Sequence, residues 1–375
     1  MPERIYLDHA ATTPILPAAK AAVAEAMERW ANPSSPHAEG RAAHAALEDA
    51  RVRIKRALGW TGDLVFTGGA SEALAIALGR TDQRVLASAV EHDAIFRAAP
   101  DAQILPVAAK GEVSRDALAE ALLSGPPALV AVQHVNSETG VRQPIEALAA
   151  QIRASGGLLV SDCSQSAGKI PLPDADMIVI SAHKLGGPPG IGALLVRDLG
   201  MLKGIGGQEF GYRSGTQNLP GALGFAAALE QFEIGVFSGG VPGALPMARW
   251  LSDLGGTIID LEYPIGQAGG IYQPARGPGD RPFHCGWILA LTIPGMSAAA
   301  QLIRFDAAGI AVSAGSACSS GSLKPSRVLK AFGVAEQHAA CTIRVSFGWS
   351  TTADDIERFL ETWLDIASDA RSRAA

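Results

Sequence analysis

One lysine carries the first chemical suggestion in this chain. Lys184 stands in Ser181-Ala182-His183-Lys184-Leu185-Gly186-Gly187, between the apolar run Met177 to Ile180 and a glycine-rich turn. A lysine held at a strand end beside a tight turn, with a histidine before it, can form a Schiff base with a carbonyl cofactor. A lone Lys beside Gly is also what a plain surface loop looks like, so the reading depends on what lies upstream. There, Val160-Ser161-Asp162-Cys163-Ser164-Gln165 closes another apolar run, Leu158 to Val160. A buried parallel strand would deliver Asp162 to the carboxyl edge of its sheet. At that edge an aspartate can pair with a protonated pyridine nitrogen and keep the ring cationic, ready to accept electrons from a substrate carbanion. Gln165 could donate to the phenolic oxygen of the same ring. Alone, Asp162 reads more simply as a helix cap after a strand; beside Lys184 that reading loses most of its weight.

A third element comes earlier. Leu64-Val65-Phe66-Thr67 is followed by Gly68-Gly69-Ala70-Ser71-Glu72 and by the helical pattern Leu74, Ile76, Ala77, Leu78. Strand, glycine turn and helix start make an anion site, because free backbone N–H groups and the helix dipole point at the turn. A cofactor phosphate would sit there. Any strand-to-helix connection can use a Gly-Gly turn, and Ser71 could be a plain N-cap. What is specific is the order of phosphate turn, aspartate and lysine, which together describe a pyridoxal 5'-phosphate (PLP) site.

These residues need a sheet to hold them. Apolar runs at Leu64 to Phe66, Val85 to Ala87, Leu129 to Val132, Leu158 to Val160, Met177 to Ile180 and Ala193 to Val196 alternate with helical patterns. Such alternation is the signature of an α/β fold with a mainly parallel sheet covered by helices. A chain of 375 residues is long enough for a large core and a second, smaller domain. The Gly/Pro-rich stretch from Gly235 to Leu245 suggests the boundary, and Tyr263 to Pro282 reads as a long surface loop inside the smaller part. Four widely spaced cysteines form neither a zinc pattern nor a disulfide framework, which suits a reducing compartment and predicts no metal site. Met1-Pro2-Glu3-Arg4-Ile5 lacks an apolar signal core, no run is long enough to span a bilayer, and a net charge of −6 gives no reason to expect nucleic-acid binding. A cytoplasmic protein, without membrane or nucleic-acid partners, is expected.

Further motifs carry a family resemblance over nearly the whole chain. Tyr6-Leu7-Asp8-His9-Ala10-Ala11-Thr12-Thr13-Pro14, Asn32-Pro33-Ser34-Ser35-Pro36-His37, Glu91-His92, His134-Val135-Asn136-Ser137-Glu138-Thr139-Gly140 and Arg213-Ser214-Gly215-Thr216 resemble the cysteine desulfurases of the NifS/IscS type, in the class V branch of fold-type I PLP enzymes. Ser313-Ala314-Gly315-Ser316-Ala317-Cys318-Ser319-Ser320-Gly321-Ser322 looks like the active-site cysteine loop of the first desulfurase group, unlike the shorter loop of the SufS-like group. The resemblance implies a seven-stranded, mainly parallel sheet with helices on both faces plus a smaller α+β C-terminal domain. Residues 15–240 would form the large PLP-binding domain, and 1–14 with 241–375 the small domain that carries the cysteine loop. The antiparallel strand of this fold type would be Gly192 to Val196, and the N-terminal dozen residues would pack back near the small domain and the site.

Carried over residue by residue, the resemblance implies that Lys184 forms the Schiff base and His92 stacks on the ring. Asp162 and Gln165 would bind the pyridine nitrogen and the phenolic oxygen. Ala70, Ser71, Ser181 and His183 would hold the phosphate, with Thr216 reaching across a homodimer to the partner's cofactor. Arg344, in Ile343-Arg344-Val345-Ser346-Phe347-Gly348, would hold the substrate carboxylate, which a guanidinium matches bidentately. Two departures stand out. The second of two asparagines usual before the glutamate is Ser137 here, shorter than the side chain that lies near the ring oxygen, and Asn136 is not its positional equivalent. After Gly348 there is also room for little more than one helix, whereas IscS-like proteins carry a longer tail that contributes to docking the iron–sulfur scaffold.

Cys318 can be read without the family. Thiolates attack sulfur, and reactive cysteines sit in exposed polar surroundings; Cys318 lies among serines and glycines. Cys163, Cys285 and Cys341 read as structural. The activity implied is removal of sulfur from L-cysteine: Lys184 takes the α proton as general base, the Cys318 thiolate attacks the substrate sulfur, and alanine and a Cys318 persulfide result, with His92 as stacking group and proton shuttle. A sulfur acceptor or iron–sulfur scaffold protein would be the partner. A selenocysteine lyase or another class V aminotransferase is the alternative within the fold, and a non-catalytic PLP-fold scaffold in sulfur trafficking the alternative outside enzymology.

Overall fold

The computed structural model describes residues 4–28, 30–108, 111–232, 284–314 and 326–374. Strand β1 (Ile5–Tyr6) stands apart from the main sheet. That sheet has seven strands: β2 (Asp63–Thr67), β3 (Arg84–Ser88), β4 (Gln103–Leu105), β5 (Ala128–Ala131), β6 (Leu158–Asp162), β7 (Met177–Ser181) and β8 (Gly192–Val196). Their order is β2-β8-β7-β6-β5-β3-β4, with β8 antiparallel to both its neighbours and every other pair parallel. Each of the six apolar runs is one of these strands, and the antiparallel strand spans Gly192–Val196 as expected.

The runs are continuous because both faces are covered. Side chains alternate across a strand. Leu64 and Phe66, Ile178 and Ile180, and Leu195 therefore enter one apolar cluster, while Val65, Met177, Val179, Leu194 and Val196 enter another. The first face is covered by α1 (Pro17–Glu28), α2 (Ala38–Leu58), α5 (Arg115–Leu123), α6 (Ile145–Ala154) and α7 (Leu219–Gln231), through residues such as Ala19, Leu47, Leu118, Ile152 and Phe225. The opposite face is covered by α3 (Ala70–Gly79) and α4 (Asp93–Ala98), through Leu74, Ile76 and Ile95. Strand β4 escaped the sequence reading. It is three residues at the sheet edge, and its Ile104 is half exposed, so no apolar run marks it.

A smaller assembly holds β9 (Ile288–Thr292), α8 (Ala298–Ala307), β10 (Ile310–Ala311), α9 (Arg327–Ala331), α10 (Glu336–Ala339), β11 (Thr342–Ser346) and α11 (Ala353–Ala374). Strands β9 and β11 pair antiparallel. Helix α11 buries Ile356, Phe359, Trp363, Ile366 and Ala370, spaced three and four apart as one helical face requires, with Phe359 stacked on Phe305 at 5.3 Å between ring centroids. β1 pairs in parallel with β10, and the Ser346 N–H donates to the Leu7 carbonyl at 2.8 Å. The N-terminal segment thus packs against the C-terminal strands. The stretches expected to mark the domain boundary (235–245) and a surface loop (263–282), and Cys318 itself, lie outside the described residues.

Gly192 sits where β8 approaches the turn after β2. A Cβ there would fall 2.5 Å from the Ile180 carbonyl oxygen and 2.8 Å from Gly69 Cα, so the strand would have to shift. Gly192→Ala is expected to cost about 1–3 kcal/mol of stability. Gly79→Ala, at a helix end where an added Cβ meets nothing within 4 Å, is expected to be neutral or mildly stabilising. Thermal unfolding of the two variants side by side checks both; equal melting temperatures would overturn the packing argument.

Candidate active site

The N-terminal segment from Asp8 to Thr13 runs through the middle of the site and touches most of its parts. Asp8 Oδ1 accepts from Arg344 Nη2 at 2.8 Å. The Ala10 carbonyl accepts from Gln165 Nε2 at 2.9 Å, and the Ala10 N–H donates to Ser346 Oγ at 2.9 Å. Thr12 Oγ1 lies 3.1 Å from His183 Nδ1. The Thr13 N–H donates to the His183 carbonyl at 2.8 Å, and its hydroxyl donates to the Lys184 carbonyl at 3.2 Å. Five residues from three distant parts of the chain are held by one short stretch of backbone.

Asp162 and Lys184 come from neighbouring parallel strands. Asp162 ends β6, paired with Val179 of β7, and Lys184 closes a short 3-10 turn directly after β7. Both sit at the carboxyl edge of the sheet, where open α/β sheets bind ligands. Asp162 Oδ1 also accepts from the Ser164 N–H at 2.8 Å, which fixes the carboxylate in a turn; no helix lies between β6 and β7, so the plainer reading as a helix cap does not hold. Gln165 is buried, and its Oε1 has no hydrogen-bond partner. His92 is the N-cap of α4, where its Nδ1 accepts from the Ala94 N–H at 3.1 Å. That contact leaves Nε2 to carry the proton of the neutral ring. Burial first, and the Lys184 charge second, hold the His92 pKa below the usual imidazole value.

The turn between β2 and α3 is built as read from the sequence. Gly69 is the N-cap, with φ +145°, in a region open to glycine, and no side chain caps the helix. Helix starts of this kind leave N–H groups aimed outwards. Ala70 and Ser71 form the first helical positions, and a Cβ placed on Gly69 would lie 3.9 Å from Ser181 Oγ. Ser71 is therefore inside the helix, not its cap. Glu72 accepts from the Gly68 N–H and pairs with Arg213 Nε at 3.0 Å, which braces the turn from its outer side.

Arg344, only 1% exposed, projects from β11. Besides Asp8 it donates through Nη1 to the Ser137 carbonyl at 3.0 Å, and its Nε is buried without a partner. Ser137 therefore contributes its backbone. Asn136 is occupied elsewhere: its Oδ1 accepts from the N–H groups of Glu138 and Thr139 at 2.9 Å, and its Nδ2 donates to the Val90 carbonyl at 3.1 Å. Thr216 is exposed and lies on a loop anchored by the buried pair of Arg51 Nη1 and Glu209 Oε2 at 2.8 Å.

Three groups, two of them buried, were given no role by the sequence reading. Glu91 is buried, and burial holds its carboxyl well above the ordinary range, opposed by the Gln133 N–H at 2.9 Å and reinforced by the Asp162 charge. Lys169 is buried over the Trp287 ring at 5.8 Å, and burial pushes its pKa down to about 8. Arg327 reaches from α9 to the turn around His92. None stands out by local pattern, since each owes its surroundings to distant segments. Of the other cysteines, burial raises Cys163 to about 12 and Cys285 to about 11, consistent with structural thiols. No cluster of metal-ligating side chains, and no helix long and apolar enough to cross a membrane, occurs among the described residues.

Comparison with known proteins adds an independent line. The aminotransferase class-V family model matches residues 5–238 and 285–359. An IscS-like cysteine desulfurase of Mycobacterium tuberculosis is 34% identical over 399 residues, covering 98% of this chain and 98% of that protein. Among solved structures, a NifS-like protein from Rickettsia africae is similar with a TM-score of 0.83 and 29% identity, over 98% of this chain and 100% of that one. SspA in complex with cysteine is similar with a TM-score of 0.72 and 27% identity, over 92% and 98% of the two chains.

The histidines set an acid limit on the fold. Burial, the largest cause in each case, lowers His9, His183 and His284 from 6.5 to about 4. Between those values the unfolded chain binds protons that the fold does not, so stability falls as the pH drops from about 6.5 towards 4. The urea midpoint is expected to decline steadily from pH 7 to pH 5. His284 is fully satisfied as a neutral ring, with Nε2 2.7 Å from the Thr139 carbonyl and Nδ1 accepting from Gly286 N–H at 3.0 Å. His284→Gln should flatten that decline, and a slope equal to wild type would show that His284 does not contribute to it.

Proposed function

The chain belongs to the class-V aminotransferase family and, within it, to the PLP-dependent cysteine desulfurases, and from that premise we propose that it takes the sulfur of L-cysteine onto Cys318 and releases L-alanine. The observation that supports this most is the convergence on the Asp8–Thr13 segment of an amine-bearing turn at Lys184, a buried amide at Gln165 and a buried guanidinium at Arg344. An amino acid has an amine and a carboxylate at just such a separation of tasks. The residues fit the cofactor. An uncapped helix start beside Ser181 suits a phosphate, Gln165 has a second Nε2 hydrogen besides the one given to the Ala10 carbonyl, and Asp162 is a fixed carboxylate at the sheet edge.

Ala70, Ser71, Ser181 and His183 would hold the phosphate, Asp162 and Gln165 the ring nitrogen and phenolic oxygen, and Lys184 the carbonyl carbon, with His92 against the ring face. When bound, PLP supplies a carbonyl that captures amines and a ring that accepts electron density as the α proton leaves. Lys184, freed as an amine, removes that proton as general base. Arg344 orients the substrate through its carboxylate, with Asp8 and the Ser137 carbonyl fixing the guanidinium plane. Cys318 Sγ then forms a bond to the substrate sulfur as the substrate's Cβ–S bond breaks and its electron pair stays on carbon. One proton delivered to that carbon and one returned to Cα complete alanine, and the sulfur remains as a persulfide on Cys318. His92, neutral with its Nε2 proton, is the group placed to move protons there. A homodimer with Thr216 at the partner's phosphate, a cytoplasmic setting and a sulfur acceptor such as an iron–sulfur scaffold protein complete the reading.

The test is to give the PLP-loaded protein L-cysteine and a reductant, and to measure sulfide and alanine together. Equal amounts of both are expected from wild type, with near-complete loss in Cys318→Ser; activity that survives the substitution would end the persulfide route. Arg344→Lys removes the bidentate partner of the substrate carboxylate and is expected to raise KM for cysteine about 10–100-fold. An unchanged KM would move the carboxylate elsewhere.

A further inference from the structure

The residues on either side of the 315–325 segment, which contains Cys318, are both fastened at the site. Before it, Ser313 pairs with Arg344, with the Arg344 N–H donating to the Ser313 carbonyl at 2.6 Å and the Ser313 N–H donating back at 3.1 Å. After it, Ser326 Oγ donates to Glu138 Oε2 at 2.5 Å and caps α9 by accepting from the Leu329 N–H at 3.0 Å. Arg327 follows at once. Its Nη1 donates to the Ala89 carbonyl at 2.8 Å, and its Nη2 to the Glu91 carbonyl at 2.6 Å and to Asp93 Oδ1 at 2.9 Å. The guanidinium lies 4.0 Å from the Phe96 ring centroid.

These contacts bracket His92 on both sides in sequence. Asp93 and Arg327 are each nearly half exposed, so their ion pair alone adds little. The holding power is in the fork across two backbone carbonyls and the stack on Phe96, which a planar guanidinium makes and an ammonium does not. We propose that Arg327 is a positioning residue for the reaction: it braces the turn Ala89–Asp93, fixes His92 against the ring site, and ties that histidine to the start of the helix that follows the Cys318 segment. This rests on the role given to His92 above.

Two readouts test it. In the cofactor-free protein, amide hydrogen exchange of the 88–97 peptide is expected to be about tenfold faster in Arg327→Ala and Arg327→Lys than in wild type, because the turn loses its brace. In the loaded enzyme, each variant is expected to lower kcat about tenfold with KM for cysteine changed less than about threefold, and Arg327→Ala is expected to add nothing in a His92→Ala background. Arg327→Lys keeps the charge at an exposed helix start and guards against a folding defect, which melting curves would show. Unchanged exchange in both variants, wild-type behaviour of Arg327→Lys, or a tenfold loss that persists without His92 would each overturn the proposal. If wild type makes no alanine from cysteine, the desulfurase reading fails, while the exchange measurement still decides whether Arg327 braces the turn.

Discussion

A guanidinium buried to 1% exposure must be satisfied before anything else around it can be placed. Arg344 cannot find a carboxylate on its own strand or on β9, its hydrogen-bonded neighbour. Its partners come from outside: Asp8 from the N-terminal segment and the Ser137 carbonyl from the turn after β5. Meeting that need draws the N-terminus across the molecule, where β1 adds to β10 and Leu7 to Ser346. Once there, the same backbone supplies Ala10 to Gln165, Thr12 to His183 and Thr13 to Lys184. The site is thus arranged around one ion pair, and removing Asp8 would leave the buried Arg344 charge without its carboxylate.

The electrostatics around that pair lean to the positive. Lys169 and Lys184 each lower the proton affinity of a histidine nearby, and Lys184 also lowers that of Lys169. Among the described residues no carboxylate forms an ion pair with Lys169. Burial also holds the Glu91 carboxyl well above the ordinary range. His9, His183 and His92 respond by staying neutral, which keeps them available to accept or pass protons at ordinary pH.

Strands of the main sheet were legible because both their faces are buried, so each shows as an unbroken apolar run ended by a chemically distinct residue. Asp162 and Lys184 were legible for the same reason: each follows such a run at the edge where ligands bind. The edge strand β4 was not, being short and half solvated. Roles for Arg344 and Thr216 were reachable only through family resemblance, since no local pattern separates one strand arginine or one exposed threonine from another. The pairings of Asp8 with Arg344 and of Arg327 with the turn around His92 join segments 336 and 236 residues apart, and nothing in either segment alone encodes the other. Ser71 shows the opposite failure, a plausible cap that the helix passes by because Gly69 begins it.

That 336-residue separation also has a vectorial consequence. On the ribosome the Asp8 segment emerges long before β11. The sheet from β2 to β8, with Lys184 and Asp162, lies wholly between them and can form while synthesis continues. Until β11 arrives, the segment that unites the site has neither the strand edge at Ser346 nor the guanidinium at Arg344 to dock on. A nascent chain can therefore hold a finished Lys184 turn and a finished Gly68–Ser71 turn long before the Asp8 carboxylate has its guanidinium partner.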